Sequence, residues 1–312
     1  MFTTIISKIA LLILVSIGWF YALSPKFLRY TMASFVGFFP YIFKMRRAVI
    51  KQNLQFAFPD DQQKQSYLLK KAYRHLGFLF FEVAMVLTRF GAMSYFVKKN
   101  VKIIGLEHWK EALKKEKGII FLSSHIGSWE IMAAAGASSG IDTVIVTKRI
   151  KPAWLHEALE RGRLKFGVRA AYEPKTLSTV LKQLAKKQTV GFVLDQYAGP
   201  PIGIRVPLFG IPVGTAGALA AVAKRTGAIV LPTVNYRDWG GDFILEIQSP
   251  VQVKEPIQEG IQEVAQLTAL YVSYLEKHIY AHPDQWLWTH RRFKGDLSPI
   301  RKDEWNESRA RR

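Results

Sequence analysis

No cysteine occurs among the 312 residues, which excludes disulfides, thiolate metal sites, iron–sulfur clusters and cysteine nucleophiles together. Acid is scarce: 24 Asp+Glu face 44 Lys+Arg, a formal charge of +20, and no acidic residue precedes Asp60. There is no fixed-period repeat, no Pro- or Ser-rich linker, no Walker or dinucleotide glycine fingerprint and no His-Glu-x-x-His pattern. His278 and His282 stand at i,i+4, but Glu276 and Asp284 complete no recognised ligand set, so no metal site is expected. Lacking zinc-finger spacing and any RNP-like aromatic motif, the charge is not read as a nucleic-acid surface. What the chain has is apolar bulk. With 49% hydrophobic and 13% aromatic residues it is no disordered polymer, and its length suits one large domain or two small ones.

Residues 1–24 carry one charge, Lys8, and as a helix would span roughly 36 Å, enough to cross a bilayer. A signal peptide is the competing reading, but a small-x-small cleavage site is missing and Trp19, Phe20 and Tyr21 end the run like an interfacial belt. Beyond it come Lys26, Arg29, Lys44, Arg46, Arg47 and Lys51, so the positive-inside rule keeps the body cytoplasmic. Residues Met32 to Phe43, interrupted by Pro40, are too short to span and read either as an interfacial segment on anionic lipid or as a buried helix. Leu76 to Phe96 contains Glu82 and Arg89, which favours a packed helix over a second span.

From residue 101 the pattern alternates. Short apolar runs at Gly118–Ser123, Thr143–Val146, Thr189–Leu194, Ile229–Val234 and Phe243–Ile247 are separated by helix-like stretches near 129–138, 152–166, 176–187 and 215–226. The expected fold is α/β, with a largely parallel central sheet flanked by helices and a closing helix over 261–280. The plan is an anchor (1–24), a helical membrane-associated neck (25–100), an α/β domain (101–298) and a basic tail (299–312). The Gly/Pro-rich run Gly199–Gly217 reads as a long loop, functional or flexible, in which Leu208, Phe209 and Ile211 either line an acyl channel or anchor the core.

Ligands of open α/β sheets bind beyond the carboxyl ends of the strands. Strand Gly118–Ser123 runs into Ser124-His125-Ile126-Gly127-Ser128-Trp129-Glu130. On one continuous helix His125 and Glu130 would point about 140° apart, so they meet only if the chain bends at Gly127. Ser128 suits an N-cap and Glu130 a first helical turn. Such a bend would let Glu130 accept from one ring nitrogen of His125 while the other removes a proton from an alcohol; a buried, satisfied histidine at the end of a strand is the other reading. Backbone amides near Gly127 and Ser128 offer an oxyanion site.

SSHIGSWE resembles the His-x4-Glu motif of the lipid A biosynthesis acyltransferases, a branch of the lysophospholipid acyltransferase superfamily. Three further stretches resemble the same family in order. They are Arg47 to Leu54 with Ala57-Phe58-Pro59, then Val206 to Gly210 with Pro212, Gly214 and Thr215, and finally His282 to Lys294. The resemblance implies a membrane-bound enzyme that moves a fatty acyl chain from acyl carrier protein to a hydroxyl of a lipid A precursor. His125 is then the general base and Glu130 its orienting partner, with no acyl-enzyme and no cofactor beyond the acyl carrier protein thioester as co-substrate. Arg149 and Arg163 become candidate substrate or oxyanion ligands, with a solvated basic face as the other reading of each. Thr147-Lys148-Arg149 departs from the Tyr-Arg-Pro type of sequence common there. Asp195-Gln196 matches the family's Asp-Gln position, where it would bind the phosphosugar head group, brace the dyad, or simply turn the chain.

The implied partners are acyl carrier protein, a lipid A precursor or related glycolipid, and anionic membrane lipids, all served by cationic surface, and the implied place is the bacterial inner membrane. Acylation of another glycolipid or aminolipid, and a non-catalytic lipid-binding protein, are the alternatives. A hydrolase is the rival chemistry, since Gly136 to Gly140 satisfies Gly-x-Ser-x-Gly and Ser138, Asp195 and His290 follow in triad order. Here, however, the helix precedes the serine, which reads as a helix end closed by Gly140.

Overall fold

The computed structural model describes residues 2–88, 91–238, 242–253 and 261–298. Arg89 and the expected basic tail, 299–312, lie outside the described residues. Five helices come first: α1 (Phe2–Leu23), α2 (Lys26–Ile42), α3 (Arg47–Ala57), α4 (Gln62–Val86) and α5 (Gly91–Asn100). Then follow β1 (Val101–Ile104), α6 (Leu106–Lys114), β2 (Ile119–Ser123), α7 (Trp129–Ser138), β3 (Thr143–Val146), α8 (Ala153–Lys165), β4 (Arg169–Ala171), α9 (Thr176–Ala185) and β5 (Thr189–Val193). The remainder is β6 (Gly203–Leu208), β7 (Ile211–Ala216), α10 (Ala218–Thr226), β8 (Ile229–Arg237), β9 (Phe243–Ile247) and α11 (Ile261–Ala281).

The expected α/β fold with a largely parallel sheet is present. Its seven strands run in the order β1-β9-β8-β2-β5-β3-β4, and only the β8–β9 pair is antiparallel. Every residue of β2 is buried, as a central strand covered on both faces requires, which is why it reads as a continuous apolar run. The two edge strands, β1 and β4, four and three residues long, are not among the expected apolar runs. The Gly/Pro-rich run is no loop. It folds into the β6–β7 hairpin, turned at Phe209 and Gly210, both with positive φ (52° and 74°), as a type I′ hairpin turn demands. Leu208 and Phe209 are buried and Ile211 packs on the same core cluster, so these three anchor the core. Because β7 continues to Ala216, the next helix starts at Ala218 rather than at 215.

The helices before the sheet are packed on it. Leu54, Leu68 and Tyr73 share one buried cluster with Leu122, Leu194 and Trp286. Helix α4 is their spine: Gly37 of α2 and Gly77 of α4 sit so close to the facing backbones of Tyr73 and Ala33 that a Cβ at either would collide with a carbonyl. The Leu76–Phe96 stretch is packed as expected but divides, α4 ending at Val86 and α5 starting at Gly91, with Glu82 fully buried.

Among the described residues, Ile5–Leu23 is the one helix segment long and apolar enough to cross a membrane by length and composition. It has 19 residues, mean hydropathy 2.0, and 17% of its most apolar window buried. Its buried side includes Tyr21, stacked on Phe81 at 4.9 Å. In α2 the small residues Ala33 and Gly37 face inward, whereas Phe27, Phe35, Phe38 and Phe39, with Phe43 just beyond, are exposed. One of the six cations near it is not a surface charge. Arg29 is buried, donating from Nε to the Ser24 carbonyl (2.8 Å) and from both terminal nitrogens to Asn100 Oδ1 (3.2 Å).

Candidate active site

β2 and β5 are parallel neighbours in a register that sets Ser123 beside Val193. Two residues further along each strand stand His125 and Asp195, and that register brings them together. The ring Nδ1 lies 2.7 Å from Asp195 Oδ1, and the His125 backbone N–H donates to Oδ2 at 2.8 Å. The Trp286 indole N–H donates to the same Oδ2 at 2.7 Å. Burial alone would raise the pKa of Asp195; the adjacent imidazole and the hydrogen bonds from His125 and Trp286 outweigh it and hold the carboxyl at about 2. With Nδ1 donating to this carboxylate, Nε2 carries the lone pair. The Gln196 side-chain amide sits 3.3 Å from it, and the His125 side chain keeps 16% exposure.

The bend at Gly127 forms as the sequence suggests. Gly127 has φ 63°, and a Cβ there would collide with both the side chain and the carbonyl of Asn235. Ser128 caps α7, its Oγ accepting the Ile131 N–H at 3.4 Å, and Glu130 lies in the first turn. The expected hydrogen bond between Glu130 and the His125 ring does not form. The first turn of α7 aims Glu130 at α8, where Arg163 grips it with two nitrogens (Nε to Oε2, 3.1 Å), and the Trp129 indole N–H donates to Oε1 at 3.1 Å. Glu130 is thus one step removed from the imidazole, whose ring meets Trp129 edge-on at 5.2 Å. The amides near the bend are also engaged: Gly127 N–H donates to the Gln285 carbonyl (3.1 Å) and Ser128 N–H to Asn235 Oδ1 (3.0 Å). They are therefore not free oxyanion donors.

Of the remaining candidates, Arg163 is buried and committed to Glu130 and Glu160; burial would lower its pKa, and the Glu130 carboxylate raises it above the usual value instead. Arg149 is exposed after β3, its guanidinium 5.4 Å from the Tyr172 ring centre. Ser138 is exposed as the last residue of α7, and Gly140 beyond it has φ 83°, so no nucleophile elbow exists there. His290 lies nearby, its Nε2 accepting the Tyr197 N–H at 3.3 Å. Among the described residues no group of three or more His, Asp or Glu is placed to hold a metal.

Sequence reasoning missed the residues that lock this cluster. Leu287 N–H donates to the His125 carbonyl (3.0 Å), and Ile126 bridges Trp286, so the 282–294 stretch pairs with the His125 loop. Fully buried Asn53 donates to the carbonyls of Trp288 (2.7 Å) and His290 (2.8 Å), which ties the 47–59 stretch to the same segment. Buried Arg292 donates to the Gly214 carbonyl at 2.6 Å and to Thr215 Oγ1, which ties in the hairpin. Burial lowers the Arg292 pKa to about 10 despite nearby Asp195. The available signal was chemical: a buried tryptophan needs an acceptor for its indole N–H.

A carboxylate-backed imidazole at the carboxyl edge of a largely parallel sheet defines, with the similarities below, the class of this chain: it is an α/β O-acyltransferase. Residues 3–295 match the family described as bacterial lipid A biosynthesis acyltransferase, and the chain belongs to that family. It is 25% identical over 291 residues to the lipid A biosynthesis lauroyltransferase of Escherichia coli (strain K12), covering 90% of each chain. It is 27% identical over 263 residues to the lipid A biosynthesis palmitoleoyltransferase of the same organism, covering 80% of this chain and 79% of that one. A phosphatidylinositol mannoside acyltransferase of Mycobacterium tuberculosis (strain ATCC 25618 / H37Rv) is 25% identical over 208 residues, 64% of this chain and 61% of that one.

Proposed function

We propose that the protein transfers a fatty acyl chain from an acyl carrier protein thioester to a hydroxyl of a lipid A precursor, with His125 as the general base and Asp195 as the group that orients it. The observation that carries the reading is the 2.7 Å contact between Nδ1 and a carboxylate held ionised, which leaves Nε2 as the proton acceptor. The acceptor hydroxyl replaces Gln196 as the partner of Nε2 and gives up its proton as its oxygen attacks the thioester carbonyl. Asp195 stabilises the imidazolium that forms. When the tetrahedral adduct collapses, the C–S bond breaks and the proton on Nε2 passes to the leaving sulfur. The Gln196 amide and Arg149 are the side chains offered to the oxyanion and the phosphosugar. Glu130 and Arg163 act at a distance, by seating Trp129 against the ring.

Similarity to two lipid A acyltransferases supports the acceptor, and the apolar α1 with the exposed aromatics of α2 supports a membrane setting. In this reading α1 crosses the bacterial inner membrane, the body stays cytoplasmic, and α2 lies in the interface with Lys44, Arg46, Arg47 and Lys51 toward anionic headgroups. The excess of cations fits an acidic carrier protein. The mycobacterial relative makes another glycolipid the second candidate acceptor. The test is mass spectrometry of the product made by the purified full chain from a lipid A precursor and mixed acyl carrier protein thioesters. One acyl increment is expected, lost in His125→Ala while membrane attachment persists. No mass gain on that acceptor, with a gain on a mannosylated lipid, would move the assignment to the second candidate.

A further inference from the structure

Buried charge lies at a second place, between α4 and the end of β8. Glu82 has no solvent exposure, and Arg237 holds it with two nitrogens (Nε to Oε1, 3.0 Å). A third nitrogen, Nη1, lies 3.1 Å from His75 Nδ1, one turn pair earlier on the same helix. Burial and then the neighbouring guanidinium push the His75 pKa well down, so the ring is neutral and Nδ1 is available as an acceptor. The arginine is sandwiched as well, 4.4 Å from the Phe78 ring centre and 4.8 Å from that of Phe243.

The main chain of Arg237 carries this position onward. Its N–H donates to Gln285 Oε1 (2.8 Å), and its carbonyl accepts from Gln285 Nε2 (2.9 Å). The backbone carbonyl of Gln285 accepts the Gly127 N–H at 3.1 Å. Two residues back along β8, on the same strand face, Asn235 holds the backbone of Ser128 with its side-chain amide. The α4 ion pair thus reaches the bend beside His125 through one glutamine, while α4 itself carries α1 and α2 on its other side.

A buried ion pair adds little stability compared with an apolar pair of the same volume, so its presence here points to a role beyond stability. Here Glu82 Oε2 and His75 Nε2 are buried without partners, which makes the arrangement costlier still. We infer that Glu82 and Arg237 are positioning residues for acyl transfer: they fix the end of β8 to α4 and, through Gln285 and Asn235, hold the Gly127 bend that aims His125. The inference rests on His125 being the base.

The test replaces the pair by apolar residues, Glu82→Leu with Arg237→Met, in the full chain in detergent. Three readouts are taken: thermal unfolding, hydrogen exchange of the 124–129 segment, and acyl transfer. Unfolding should stay near wild type, the segment should exchange several-fold faster, and kcat should fall about 10–100-fold with little change in KM for the acceptor. Should the double variant not fold, Glu82→Gln and Arg237→Lys give the same comparison, Arg237→Lys keeping a charge without the fork and losing less. Unchanged exchange overturns the inference whatever the activity. Faster exchange with full kcat also overturns it, as does a loss of kcat that only tracks the unfolded fraction. His125→Ala, measured alongside, separates the two ideas: transfer surviving in that variant defeats the assignment of the base instead.

Discussion

Two buried carboxylates flank His125 on different elements, and the nearer one in sequence is not the one that bonds it. Glu130 follows by five residues and turns with α7 onto Arg163 of α8. Asp195 follows by 70 and meets the ring because β2 and β5 are neighbours in register. The first carboxylate is bound to a permanent cation, so its surroundings are those of a structural ion pair. The second is bound to a neutral-or-cationic ring whose other nitrogen faces a partly open position, with the Gln196 amide 3.3 Å away. Strand adjacency, rather than spacing along the chain, decides which acid bonds the ring.

The largest expected effect separates the two sites. His125→Ala should reduce acyl transfer about 10²–10⁴-fold, far beyond any fall in the folded fraction, read by product mass spectrometry and calorimetry. Next comes Glu130→Ala, which strands the buried Arg163 guanidinium and should cost about 3–5 kcal/mol in denaturant unfolding, activity falling mainly with the folded fraction and a little further as Trp129 loses its acceptor. Gly127→Ala forces an alanine into left-handed backbone against Asn235, at a cost of about 1–2 kcal/mol before the clash is counted. Its transfer rate should drop more than its stability, because the bend carries His125. The smallest effect is in acid. Asp195 has its pKa lowered to about 2, so its contribution to stability is complete above about pH 4 and lost as pH falls toward about 2. Stability should therefore decline more steeply in that window for wild type than for Asp195→Asn.

Much of this comparison was legible in the sequence, and most of the rest shares one cause. The strand into His125, the bend at Gly127, the Ser128 cap and the placing of Asp195-Gln196 at the ligand edge follow from local chemistry: a buried β run, a glycine, a capping hydroxyl, a polar pair after a strand. Sequence spacing pairs Glu130 with the imidazole because distance along the chain is fixed by the sequence, whereas the distance to Asp195 across the sheet is not. The partners of Trp286, Gln285, Asn53 and Arg292 are equally non-local, and nothing in a single sequence states which strand lies beside which. The β6–β7 hairpin went unread for a different reason: its prolines and glycines look like loop, and the buried Phe209 occupies a turn position with φ 52° that glycine usually takes.

The most direct measurement is the turnover of Asp195→Asn beside that of Glu130→Gln, each corrected for the fraction folded. If Asp195 orients the base, its variant loses the greater share of kcat while remaining folded, and the Glu130 variant loses mainly stability. A folded Glu130→Gln enzyme with the larger fall in kcat, beside an Asp195→Asn enzyme that still turns over, would return the imidazole to its neighbour in sequence.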